Sequence, residues 1–162
     1  MATQFRLSFS MRQRHFDFNA IVSETVWNHV AADLDDQSDI APMSPYIGFR
    51  TLDGTLELVN RSEICAVRHR SDVVVNAPDS LVYEGPVQIR LRGRRKPMEE
   101  LPSSDESLAD FIIQLERGPD LLPVVRFLDE NDETLRLPQH GIVRVTVSTV
   151  RLDAGYEALD RE

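Results

Sequence analysis

Apolar and polar residues alternate over short stretches through most of this chain, and one segment keeps a sustained helical period. Val87, Ile89 and Leu91 alternate with Gln88, Arg90 and Arg92, which predicts a strand with one buried and one wet face. Phe16-Asp17-Phe18-Asn19-Ala20-Ile21-Val22 alternates in the same way. Further strands are predicted at 46–52, 55–59, 64–69, 72–76, 122–128, 134–137 and 142–151. The helical segment follows Ser103-Ser104-Asp105-Glu106, a capping pattern. Its Leu108, Phe111, Ile112 and Leu115 fall on one face, and Gly118-Pro119 ends it. A shorter helix is predicted after Ser23-Glu24-Thr25, carrying Val26, Trp27, Val30, Ala31 and Leu34 on one side.

A strand–turn–strand–turn–strand pattern occurs twice. The first runs from Ile47 to Val67 and the second from Val124 to Val145. Thr55-Leu56-Glu57-Leu58 and Thr134-Leu135-Arg136-Leu137 open the second strand of each. Such internal similarity sets an architecture before it sets a chemistry. The fold class is therefore α+β, mainly β, with two similar strand–helix–hairpin–strand halves packed as one unit in small twisted or partly closed sheets. The organisation expected is an N-terminal arm at 1–15, a first half at 16–76, a connection at 77–85, a second half at 86–151 and an acidic tail at 152–162, with a short helix over 153–162 as the alternative. Asp53-Gly54 between two apolar runs predicts a type I′ hairpin. That turn, followed by Leu56-Glu57-Leu58-Val59-Asn60 and Ile64, resembles the small flagellar regulators of the FlbD type. The resemblance is confined to the hairpin and carries no ligand or catalytic motif, so it implies no activity.

Charge changes the picture. The chain has 162 residues and a formal net charge of −9, which disfavours non-specific binding to nucleic acid or anionic membrane. The charge is segregated. Arg90, Arg92, Arg94, Arg95 and Lys96 stand together without an acid, while acids gather at 99–110, 129–133 and the C-terminus. These five cations are the candidate binding residues. They fit an acidic protein partner, and phosphates are the alternative ligand. Neutralisation by Glu99, Glu100, Asp105 and Glu106 would instead make them an ordinary solvated strand face.

The other candidates are weaker. His29 and Asp33 share a helical face, but no second ligand pair completes a metal site, so no metal is expected. Cys65 lies between Ile64 and Ala66, where a small buried side chain is expected. The chain contains no nucleophile elbow, phosphate loop, dinucleotide fingerprint or zinc-protease motif. No catalytic residue, enzyme activity or cofactor is expected. No secretory leader or membrane-length apolar run is read, which points to the cytoplasm. The function expected is a non-catalytic protein-interaction or assembly module, with a regulatory binder of an anionic ligand or nucleic acid as the alternative. Val73, Val74 and Val75 form an uncharged β-branched run that suits an exposed edge, and a homodimer through it is expected.

Overall fold

The computed structural model describes residues 2–35, 44–74 and 81–162. The first half contains β1 (Ala2–Met11), β2 (Phe18–Ser23), α1 (Glu24–Asp35), β3 (Tyr46–Arg50), β4 (Thr55–Asn60) and β5 (Ile64–Val74). The second contains β6 (Val87–Leu91), β7 (Met98–Glu100), α2 (Asp105–Glu116), α3 (Gly118–Leu121), β8 (Val124–Leu128), β9 (Thr134–Pro138), β10 (Ile142–Ser148) and α4 (Thr149–Asp160). Short 3-10 turns at Arg61–Glu63 and Gln139–Gly141 lead into β5 and β10. The fold is α+β.

Three antiparallel sheets result, with strand orders β2-β1-β5, β3-β4-β10-β6-β7 and β8-β9. None closes on itself, so the partly closed alternative does not hold. The five-stranded sheet is covered on both faces. On one, Leu58, Val87, Ile89, Val145 and Val147 pack with Leu108, Phe111, Ile112 and Leu115 of α2, Val125 and Phe127 of β8, and Leu152 of α4. On the other, Ile47, Phe49, Val59 and Val143 pack with Leu7, Phe9, Met11 and Val22 of the three-stranded sheet and Val30 of α1. The strand β10 is buried at every position and pairs with β4 and β6, so it joins the two halves.

Local chemistry explains the elements. Ser104 caps α2 by accepting from the Ser107 N–H, and its capping box closes through the Ser107 hydroxyl, not through Glu106. All four apolar residues predicted for its inner face are buried. Ser148 accepts from the Arg151 N–H and starts α4, which ends β10 three residues before the predicted limit of 151. The predicted acidic tail is thus most of a helix, held to α2 by Arg151 and Asp105 at 2.8 Å. Gly155 allows the close approach, since a Cβ there would lie 2.1 Å from the Asp105 carbonyl oxygen. The predicted arm is also structured. Residues 2–11 form the central strand of the three-stranded sheet, with Phe5, Leu7, Phe9 and Met11 at alternate positions on the core side.

The turn at Gly54 differs from the predicted type. Gly54 has φ +85°, but Asp53 does not have positive φ, so the turn is not type I′. Thr51 N–H donates to the Thr55 carbonyl at 2.9 Å and encloses three residues, the last left-handed. The second hairpin repeats this arrangement: Asp129 N–H donates to the Glu133 carbonyl at 2.9 Å, and Asp132 has φ 59°. Matching the two turns aligns Val59 with Leu137, both buried. The Thr-Leu-x-Leu match of the sequence is therefore out of register by one residue, which reverses the faces.

Val73 and Val74 belong to β5 and face Thr3 and Ala2 of β1 in register, while Val75 lies outside the described residues. So do most of the predicted loop before Pro45 and part of the predicted connection after Asn76. Among the described residues no helix is long and apolar enough to cross a membrane.

Two substitutions check this fold. Phe111 is fully buried edge-on to Phe127, with centroids 5.1 Å apart, and Phe111→Ala is expected to cost about 3–5 kcal/mol in denaturant titration. A loss near zero would place α2 in a different phase. Gly54→Val forces a branched residue to positive φ and drives its Cβ to 2.0 Å from the Leu81 carbonyl oxygen, so the melting temperature should fall. An unchanged melting curve would contradict that turn.

Candidate binding site

The basic run divides at the end of β6. Arg90 is half-buried on the strand and donates through Nη2 to Gln88 Oε1 at 3.0 Å. Burial lowers its pKa, against an opposing pull from Glu57. Arg92 lies beyond the strand, so it does not share a strand face with Arg90. Its Nε donates to Glu63 Oε1 at 3.0 Å, and its Nη2 reaches the same oxygen. The Glu63 side chain is only 6% exposed, so this carboxylate positions Arg92 from below. Gly93, with φ +86°, then turns the chain toward β7. Arg94, Arg95 and Lys96 are exposed, and none has an ion pair among the described residues. Asp105, one of the acids expected to neutralise them, is engaged by Arg151.

Arg92 stands between two pockets. One of about 240 Å³ is lined by Tyr46, Arg61, Ser62, Arg92, Gln139 and His140, among others. The second, of about 390 Å³, is lined by Arg12, Gln13, Ser62, Glu63 and Arg92. Four chain connections meet here. Arg12 N–H donates to the Glu63 carbonyl at 2.8 Å, and Arg92 N–H donates to the Gly141 carbonyl at 2.8 Å. The 3-10 turn at 61–63 is capped by Asn60, whose Oδ1 accepts from the Ser62 N–H and hydroxyl at 3.0 and 2.8 Å. Asn60 Nδ2 also donates to the Ile142 carbonyl at 2.8 Å, which ties this turn to the start of β10.

The floor of the smaller pocket is hydrogen-bonded to its surroundings. The Tyr46 hydroxyl donates to Gln139 Oε1 at 3.0 Å, and Gln139 Nε2 donates to the Leu122 carbonyl at 2.7 Å. Burial pushes the Tyr46 hydroxyl pKa up, so it remains a neutral donor. Arg61 is bound to Asp33 and to the Ser44 carbonyl. Asp33 is thus occupied by an arginine and does not face His29 as a ligand pair. Among the described residues no group of three His, Cys, Asp or Glu side chains could hold a metal ion. Gln13 lines the larger pocket, and its Oε1 is shielded from solvent with no hydrogen-bond partner among the described residues.

Cys65 is exposed, contrary to the buried position expected. The register of β5 against β1 shifts here: Ser10 faces Ala66 and Met11 faces Ile64, leaving Cys65 as the extra residue of a bulge. Ile64 and Val67 keep the core contacts.

The sequence reading missed a buried ion pair in the five-stranded sheet. Glu57 and Arg144 approach to 3.3 Å, each side chain 9% exposed. A bulge in β10 is the cause. Ile142 and Arg144 face consecutive residues Leu91 and Arg90 of β6, so Val143 and Arg144 turn to one side. The Thr146 hydroxyl donates to Glu57 Oε2 at 2.6 Å, and the Arg144 guanidinium lies 3.7 Å from the Phe18 ring centroid. Burial raises the Glu57 pKa despite Arg144, and burial pulls Arg144 down to about 10 despite Glu57. Desolvation therefore outweighs attraction in this pair. Arg144 Nε and Nη1 lack hydrogen bonds of proper geometry, so the contact with Glu57 is electrostatic only.

Comparison with protein-family models, curated proteins and solved structures finds no match to this chain.

The ion pair makes a testable prediction. Arg144→Met and Glu57→Gln should each cost about 3–5 kcal/mol, because each strands a buried charge, and the double variant should cost less than either. Additive losses would mean the two charges are uncoupled. The sign with pH follows from the raised carboxyl. Folded Glu57 holds its proton more tightly than unfolded Glu57, so its contribution to stability falls as pH rises from the ordinary glutamate range through its folded pKa. The double variant should lack that component in urea titrations across pH.

Proposed function

We propose that this protein is a non-catalytic interaction module of the cytoplasm that binds an acidic segment of a partner protein at the end of the sandwich carrying Arg12, Arg92, Arg94, Arg95 and Lys96. The observation that carries this reading is the division of the basic run. Arg92 is positioned between two pockets by buried Glu63, while Arg94, Arg95 and Lys96 extend into solvent beside it. One positioned cation with exposed ones beside it suits a carboxylate-rich chain, since arginine recognises carboxylates bidentately and the others add attraction and speed of encounter. The net charge of −9 repels long polyanions such as nucleic acid.

We read the two halves as copies of one unit. The supporting facts are the shared order of strands, helix, hairpin, 3-10 turn and strand, and the left-handed residue at the same point of each hairpin. In both, the strand after the 3-10 turn pairs outside its own hairpin: β5 with β1, and β10 with β6.

The test uses a fluorescent peptide of alternating aspartate and glycine and, in parallel, a single-stranded oligonucleotide. The peptide should bind the wild type, and the triple change Arg94→Glu, Arg95→Glu, Lys96→Glu should weaken it at least tenfold with an unaltered melting temperature. Equal binding by the variant would reject the site. Preferential binding of the oligonucleotide, with affinity falling about three to four decades per decade of salt, would replace the peptide reading with phosphate recognition.

A further inference from the structure

The three-stranded sheet ends in an edge that its charges make self-complementary. β5 has 11 residues, pairs with β1 alone among the described residues, and forms one border of the sheet. Edge strands of this length are templates for another strand, and charged side chains are the usual block. Arg68, His69, Arg70 and Ser71 are indeed exposed here. The arrangement of the charges is unusual, however. Arg70 stands directly opposite Arg6 of β1, a like-charge pair that disfavours the sheet. Among the described residues the ion-pair partner of Arg70 is Asp72, two residues along the same strand, at 3.3 Å from Arg70 Nε. Both side chains remain substantially open to solvent, at 73% and 46%.

We infer that β5 pairs with β5 of a second copy, antiparallel, about a two-fold axis through Ser71, giving a six-stranded sheet across a homodimer. Antiparallel pairing about Ser71 sets Arg70 of each copy opposite Asp72 of the other. Each arginine then has Arg6 on one side and an acid on the other, so the repulsion within the subunit is answered by the contact between subunits. The axis is perpendicular to the sheet, so Arg70 and Asp72 of both copies share its outer face and the core-facing residues of both copies share the inner one. A register centred on Arg70 would oppose the two Arg70 side chains directly, which is why the axis falls at Ser71. The occupant is a second copy and not a nucleic acid, because the edge carries its own acid at the matching position. This contact is independent of the pocketed end, and its failure would leave the acidic-peptide reading intact.

Charge reversal tests it with an internal rescue. Sedimentation of the wild type across a hundredfold range around micromolar concentration should show a dimer. Arg70→Asp alone and Asp72→Arg alone each place like charges opposite one another and should weaken dimerisation at least tenfold. The double variant Arg70→Asp, Asp72→Arg restores opposite charges and should dimerise again. An equimolar mixture of the two single variants should form a heterodimer, which also shows that each is folded. Binding of the acidic peptide should be the same in all of them. A wild type that stays monomeric overturns the inference. So do single variants that dimerise as well as the wild type, or a mixture that stays monomeric.

Discussion

Everything in this fold depends on a strand that has no wet face. β10 lies between β4 and β6 and is buried at all seven positions. Its backbone bonds both halves into one sheet, and its side chains enter both cores. A doubly buried strand carrying Arg144 and Thr146 has to satisfy those groups internally, because no water face exists to receive them. Glu57 and Phe18 are the response. The bulge that sets Val143 and Arg144 to one side makes the geometry possible. The ion pair is thus a consequence of where β10 runs, and the desolvation of both groups offsets their attraction. Its effect is to fix which strand faces which, since a register slip would bury Arg144 without Glu57.

Charge outside the core is arranged by the same logic. Buried carboxylates hold selected arginines in place: Glu63 holds Arg92, and Glu57 faces Arg144. Exposed pairs join elements, as Arg50 to Asp153 between β3 and α4 at 2.7 Å, and such pairs contribute modestly. Other arginines are also without an ion pair among the described residues, but the β6–β7 turn gathers three such cations in consecutive positions. A chain of net charge −9 that leaves Arg94, Arg95 and Lys96 together has created a local field opposite in sign to its own mean. That contrast separates the turn from the surrounding surface, and the pockets beside Arg92 give it a shape.

Legibility in the sequence followed periodicity. The helix α2 was readable because four large apolar residues repeat at helical spacing behind a cap. The hairpins were readable from Asp53-Gly54 and Asp129 between apolar runs, but not their turn type, which the hydrogen bond from Thr51 to Thr55 decides. β1 was hidden by its charges. Phe5, Leu7, Phe9 and Met11 alternate cleanly, yet Arg6, Arg12 and Arg14 made the segment read as an arm. α4 was open between an acidic tail and a short helix from 153, and its start at Thr149 was missed because β10 was extended to 151, past the Ser148 cap. The binding site was half legible. The basic run is local, whereas Arg12, Gln13, Glu63 and His140 join it only through the meeting of four connections, which no spacing in one chain segment reveals. Cys65 was misread because a bulge breaks the alternation from which burial is inferred, and a second bulge sets the buried Arg144 beside Val143.

The edges of the sheets show how far this chain goes to control pairing. β8 would present an open edge toward α2, but the Gln114 side chain closes it, accepting from the Arg126 N–H at 2.8 Å and donating to its carbonyl at 3.0 Å. A side-chain amide there imitates one rung of a strand. β7 borders the five-stranded sheet with only three residues, too short to template much. β2 is six residues long and runs directly into α1. β5 is the longest strand and receives none of these treatments, and the charges that would ordinarily protect it match themselves under a two-fold. Among the described residues no side chain closes the border of β5 as Gln114 closes that of β8, so a second strand is the pairing its backbone still lacks there.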